Sequence, residues 1–203
     1  MRQKFFKPGI LFLAITFAMT SSLWAGAPTD QLKTTIDKVI GILSDSDLKA
    51  PEKSDEKKQK VRGAVDEIFD WAAFSQRAMA KYWKERTPEE KKEFIDLFGR
   101  LLERTYLDKV ENYSGETVKY VGEKIDGKYA IVNTIVLSKS NAEIDVNYRL
   151  RDKDGKWMVY DVYIEGVSMV NNYRIQFTDI LMKSSYQELV KRLEEKIAEE
   201  PSE

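Results

Sequence analysis

Any chemistry done by this chain of 203 residues must come from carboxylates, lysines, tyrosines or a bound cofactor, because it contains no histidine and no cysteine. That composition excludes Ser-His-Asp and Cys-His nucleophile arrangements, the commonest general base, and zinc sites built on imidazole or thiolate. No disulfide can form either, so the fold rests on packing alone. The acidic groups best placed for a chemical role are Asp161 and Glu165, within VYDVYIEGVSMVNNYR at 159–174. In an apolar pocket, desolvation would raise the pKa of either and equip it as a base. Glu165 has a second reading, as a negative charge favouring the positive end of the helix that follows. The stretch is a strand of alternating residues running through Glu165 and Gly166 into an amphipathic helix. Such a junction sets apolar strand and helix residues on one side of a sheet and leaves room for a greasy cavity between the layers. That geometry suits an apolar ligand better than a reaction.

The elements that must position these residues follow from hydrophobic period. Leu32, Ile36, Val39, Ile40 and Leu43 recur at helical spacing behind the cap residues Thr29 and Asp30. The charged segment 49–60, with Pro51, reads as a solvated loop before a second helix. In IFDWAAFSQRAMAKYW at 68–83, Asp70 is a helix cap and Phe69, Trp71 and Phe74 are core, since exposing three such rings would be costly. Thr87, Pro88 and Glu90 form a capping box with proline in the first turn, opening a helix expected to run to about Val110. From Glu116 the period changes to 2. Strands are expected at 117–123, 129–139, 142–151 and 156–165, divided by Asp126-Gly127, Ser140-Asn141 and Asp154-Gly155. In the third, Ile144, Val146, Tyr148 and Leu150 face one way; in the fourth, strict alternation groups Met158, Tyr160, Val162 and Ile164. Two helices through Val170 to Leu181 and Tyr186 to Ile197 complete an α+β chain: a four-stranded antiparallel sheet packed by amphipathic helices.

The first residues read as a signal peptide, 1–25, with Arg2, Lys4 and Lys7 before the apolar run Gly9 to Met19 and small residues at Ala25-Gly26-Ala27. Cleavage after Ala25 or after Ala27 both fit. The run is too short to span a membrane, so a soluble protein of roughly 178 residues, 26–203, is expected in the periplasm as a single domain. The leader carries three of the 33 basic residues and none of the 34 acidic ones, which leaves the remainder at about −4. With no basic stripe interleaved by aromatics, nucleic acid is not expected as a partner.

The IFDW near residue 69, Tyr82-Trp83, the helix start TPEEKKEF, the run WMVYDVYIEGVSMVNNYR and Gln176-Phe177 together resemble the toluene-tolerance family. Its best-known members are periplasmic phospholipid-binding proteins of the Mla (maintenance of lipid asymmetry) system, the MlaC-like proteins. The resemblance spans roughly residues 30–195. It implies an NTF2-like fold with acyl chains held between sheet and helices, no catalysis and no cofactor. It also implies a monomer that shuttles phospholipid between an outer-membrane lipoprotein complex and an inner-membrane ABC transporter, maintaining outer-membrane lipid asymmetry.

Pocket candidates come from the inward phase of the last two strands and from the roof helix: Val146, Tyr148, Leu150, Tyr160, Val162, Ile164, Val167, Val170 and Tyr173. Each is equally readable as ordinary core. Arg174 reads first as an internal partner of Asp161 or Glu165, and second as a phosphate contact at the pocket mouth. Other readings stay open: a carrier of another hydrophobic ligand such as a hopanoid, an NTF2-like enzyme based on Asp161 or Glu165, and a module that docks a partner through its apolar face.

Overall fold

Alternating β-branched and aromatic residues between Thr117 and Ile164 build one antiparallel meander: β1 (Thr117–Asp126), β2 (Tyr129–Leu137), β3 (Glu143–Lys153) and β4 (Lys156–Ile164). The structure is a computed structural model that describes residues 27–111, 113–140 and 142–199. The expected leader with its Ala25 cleavage site, and Asn141 of one expected turn, lie outside these residues. Asp154 and Gly155, at φ +56° and +85°, form the two-residue turn of the β3–β4 hairpin. A fifth strand, β5 (Val167–Ser168), extends the expected four. It pairs back onto Tyr163 and Ile164 through a turn in which Glu165 and Gly166 both have positive φ. A strand of two residues carries no periodicity, so it could not be read in advance.

Strict alternation fails at one point in β4. Arg149 pairs with Asp161, but the next residue, Leu150, pairs with Val159, so Tyr160 is the extra residue of a β-bulge. Below the bulge the inward set is therefore Trp157 and Val159, both buried, rather than Met158 and Tyr160.

The inner face of the sheet is covered by α1 (Pro28–Ser44) and α2 (Ser54–Asp66). Helix α1 begins at Pro28, and its N-cap Ala27 supplies no side-chain bond. The expected cap role of Thr29 is displaced, because its N–H and hydroxyl both donate to Glu123 of β1, at 2.8 and 2.5 Å. The expected loop 49–60 is instead a short 3₁₀ turn at Pro51–Lys53 followed by α2 from Ser54. Ion pairs of Glu56 with Lys53 and Lys60 sustain a helix start that has almost no apolar content.

Leu32, Ile68, Ala130, Val132, Leu150, Trp157, Val159 and Val162 form the core between α1 and the sheet. A second, aromatic core joins α3 (Trp71–Met79), α4 (Pro88–Glu111), α5 (Met169–Lys183) and α6 (Tyr186–Ala198). Within it, Phe98 meets Tyr173 edge-on at 5.0 Å and Phe177 at 5.1 Å. Capping follows the sequence: Asp70 accepts from Ala73 N–H at 3.0 Å, and Thr87 and Glu90 bond reciprocally. The chain before α3 also seals the free edge of β4, since Asp70 N–H donates to the Val159 carbonyl and Val159 N–H to that of Ile68.

Candidate functional site

Between the two cores the layers separate around a half-open cavity of about 410 Å³. Its sheet wall is made by Val118, Val136, Val146, Tyr148, Val162 and Ile164, one or two inward residues from each long strand. The opposite wall is the stripe Leu32, Ile36, Val39 and Ile40 of α1 with Val61 and Val65 of α2. Their spacing of three and four residues places them on one helix face. Phe69, Trp71, Leu102 and Met169 close the sides. The size falls in the range of ligand sites, about 300–1,000 Å³, and the lining is almost wholly apolar.

Polar groups touch this space at few points. The Tyr148 ring is half-buried on the cavity wall, and burial pushes its phenol up to about 12, so it stays neutral at any physiological pH. Glu116, just before β1, also borders the cavity. Hydrogen bonds from Ser114, backbone and side chain, hold its carboxyl below the usual range. Arg62 and Glu103 meet in the wall between α2 and α4 at 2.5 Å.

Of the residues expected to line a pocket, Val146, Tyr148, Val162 and Ile164 lie together on this wall, and five do not. Leu150 is fully buried beneath it, among Ala130, Trp157 and Val159. The bulge turns Tyr160 away from the cavity, where its ring packs 4.2 Å under the Arg77 guanidinium and 6.1 Å from Tyr129. Val167 is 61% exposed, paired opposite Ile164 just beyond the cavity. Val170 and Tyr173 face the aromatic core, because α5 turns that side toward α3 and α4 rather than toward the sheet.

The charged candidates also leave the cavity. Arg174 pairs with neither Asp161 nor Glu165; its Nε donates to the Arg77 carbonyl at 2.9 Å. Asp161 is buried, but it accepts from the N–H groups of Val162 and Val170 and from the Ser168 hydroxyl, fixing the start of α5. Glu165 accepts from Asp145 N–H at 2.5 Å. Neither carboxylate lines the cavity, which removes the geometry a base in an apolar pocket requires. Among the described residues no group of carboxylates forms a metal site.

The sequence reading missed the whole helical wall and the strand positions Val118 and Val136. The signal was present as apolar stripes, but a stripe does not say whether its partner is a side chain or an open space.

The family model for the MlaC protein matches residues 33–195. The chain belongs to the MlaC family. Among curated relatives it is 23% identical to the intermembrane phospholipid transport system binding protein MlaC of Haemophilus influenzae, over 195 residues and 91% of each chain. It is 25% identical to the toluene tolerance protein ttg2D of Pseudomonas putida over 178 residues, 87% of this chain and 82% of that one. A solved structure of the phospholipid-binding protein from Ralstonia solanacearum, in complex with a phospholipid, superposes with a TM-score of 0.75 at 29% identity. That match covers 85% of this chain and 98% of the other. The MlaC family thus accounts for the α+β architecture, a meander roofed by helices, that surrounds the cavity.

Proposed function

We propose that this protein is a periplasmic phospholipid carrier that takes diacyl lipid between an outer-membrane lipoprotein complex and an inner-membrane ABC transporter, and so maintains outer-membrane lipid asymmetry. The observation that carries this reading is the cavity of about 410 Å³ walled by aliphatic side chains from two helices and four strands. Its support comes from the MlaC family and from relatives described as phospholipid-binding.

Burying one CH₂ is worth about 0.8 kcal/mol, so two acyl chains oppose transfer to water by on the order of 20 kcal/mol or more. An unshielded lipid would not cross an aqueous compartment at a useful rate. A carrier needs only to match the bilayer, because the chains move from one apolar phase to another. The cavity supplies no energy source, so direction comes from the partner complexes. Binding alone is the activity: no catalytic residue, metal or cofactor takes part, and the carrier works as a monomer after its leader is removed.

Val146, Tyr148, Val162 and Ile164 are the acyl-contacting residues of the sheet, and Ile36, Val39 and Val65 those of the roof. A neutral Tyr148 costs an acyl chain little, whereas a charge at that depth would be prohibitive. Replacing Val162 by Gln puts an unpaired amide in the wall. The expected outcome is a folded protein, judged by circular dichroism, that has lost most of its co-purifying lipid. Full lipid content in Val162→Gln would refute the assignment.

A further inference from the structure

The wall of the cavity differs in burial around its circumference. At the floor, Leu32, Ile68 and Val162 are 5% exposed or less, so a full layer of protein lies behind them. Between α2 and α4 the wall carries the ion pair Arg62–Glu103. Arg62 and Glu103 line the cavity with side chains only partly buried, at 26% and 31% exposure.

Arg62 is fixed there from several directions. Its Nη1 donates to Glu103 across the seam at 2.5 Å, and its Nε to Asp66 on its own helix at 2.9 Å. Its guanidinium lies 5.4 Å from the Trp71 ring, whose indole N–H donates to Asp66 at 2.7 Å. On α4 the facing residue is Gly99, where a Cβ would stand 3.0 Å from Arg62 Nη2. A side chain at 99 would crowd the guanidinium, for which glycine leaves room.

The contacts are therefore asymmetric. The bonds to Asp66 and Trp71 keep Arg62 with α2 and the start of α3, and the bond to Glu103 joins it to α4. Losing the bond to Glu103 releases the arginine from α4 without unpairing it, because Asp66 remains. The cost is modest, because the pair is partly solvated on both sides of the break.

We propose that the α2–α4 seam is the door through which acyl chains enter and leave, and that Arg62–Glu103 is its latch. The proposal rests on the carrier reading above and adds the route. The alternative route is the end of the sheet bordered by Val118, Val136 and Glu116.

The test uses exchange of a fluorescent phospholipid between the full mature protein and vesicles of phosphatidylethanolamine and phosphatidylglycerol. Glu103→Gln weakens the latch and leaves Arg62–Asp66 intact; exchange should run about fivefold faster, with the equilibrium load within about twofold of the parent. The chain has no cysteine, so an R62C/E103C pair can be bridged by a short bis-maleimide with no competing thiol. The bridged protein should exchange at least about tenfold more slowly than the same protein before bridging. A bridged protein that exchanges at the unbridged rate, or a Glu103→Gln variant with the parent rate and only a lowered melting temperature, overturns the door while leaving the carrier reading standing. A parent protein that neither holds nor exchanges lipid overturns the carrier reading, and the door with it.

Discussion

At the residue scale, Asp70 shows how one side chain can secure several elements at once. It caps α3 through Ala73 N–H, and its second oxygen takes Arg151 at 2.7 Å with Lys153 at 3.5 Å. Burial pushes its carboxyl up, but the Ala73 bond, the Arg151 bond and the two cations outweigh it and hold it below the ordinary carboxylate range. A depressed folded-state pKa contributes stability above the unfolded value, near pH 4, and that contribution is lost as pH falls through the folded value. Asp70→Asn keeps a capping oxygen and loses the charge. Its deficit in thermal stability against the parent should be largest near neutrality and shrink as pH drops below about 4; a constant deficit would contradict the ion-pair account. Asp70→Ala loses both functions and should cost about 2 kcal/mol in chemical denaturation at pH 7. That Asp70 is a cap was readable from its place before the aromatic run. Arg151, 81 positions away, alternates with the apolar series Ile144 to Leu150 of β3, which makes its outward direction legible but not its partner.

At the scale of elements, local signals translated well and their pairings less so. Among the described residues, helical and strand periods located the long strands and every α-helix but the first half of α2, which lies in the charged stretch expected to be a loop, and the capping box at Thr87 and the type of turn at Asp154-Gly155 were written in a few residues. The bulge at Tyr160 was not, because one extra residue leaves both neighbouring stretches alternating and changes only their relative phase. Nor did the apolar stripe of α5 reveal that it faces other helices. Two mutants separate the layers this created. Leu150→Ala, beneath the cavity, should lower stability by about 2–5 kcal/mol in denaturant melts while the protein still carries lipid. Tyr160→Ala should leave the lipid load unchanged by mass spectrometry, since its ring lies against Arg77 outside the cavity; a lost load would restore Tyr160 to the pocket.

At the scale of the whole molecule, the arrangement divides labour between two cores. The aromatic helical core packs α3, α4 and α5 together through rings at 5.0–5.7 Å around Phe98. The sheet, with α1 and α2 above it, is closed at one end by Leu32 and Val162 and kept apart at the other by the cavity. A chain of this size without disulfides can hold its layers apart around such a space because the remaining packing supplies the stability. The family was legible in the sequence over most of the chain, and the apolar face of the sheet with it. The volume was not, since a cavity is an absence of contact between segments distant in sequence.

The central claim is that acyl chains occupy this cavity, and native mass spectrometry of the mature protein purified from its periplasm, followed by extraction and lipid identification, tests it most directly. The account predicts phospholipid at a fixed stoichiometry, lost in Val162→Gln. A parent protein that is reproducibly free of lipid, or that carries a different hydrophobic ligand such as a hopanoid, would contradict it.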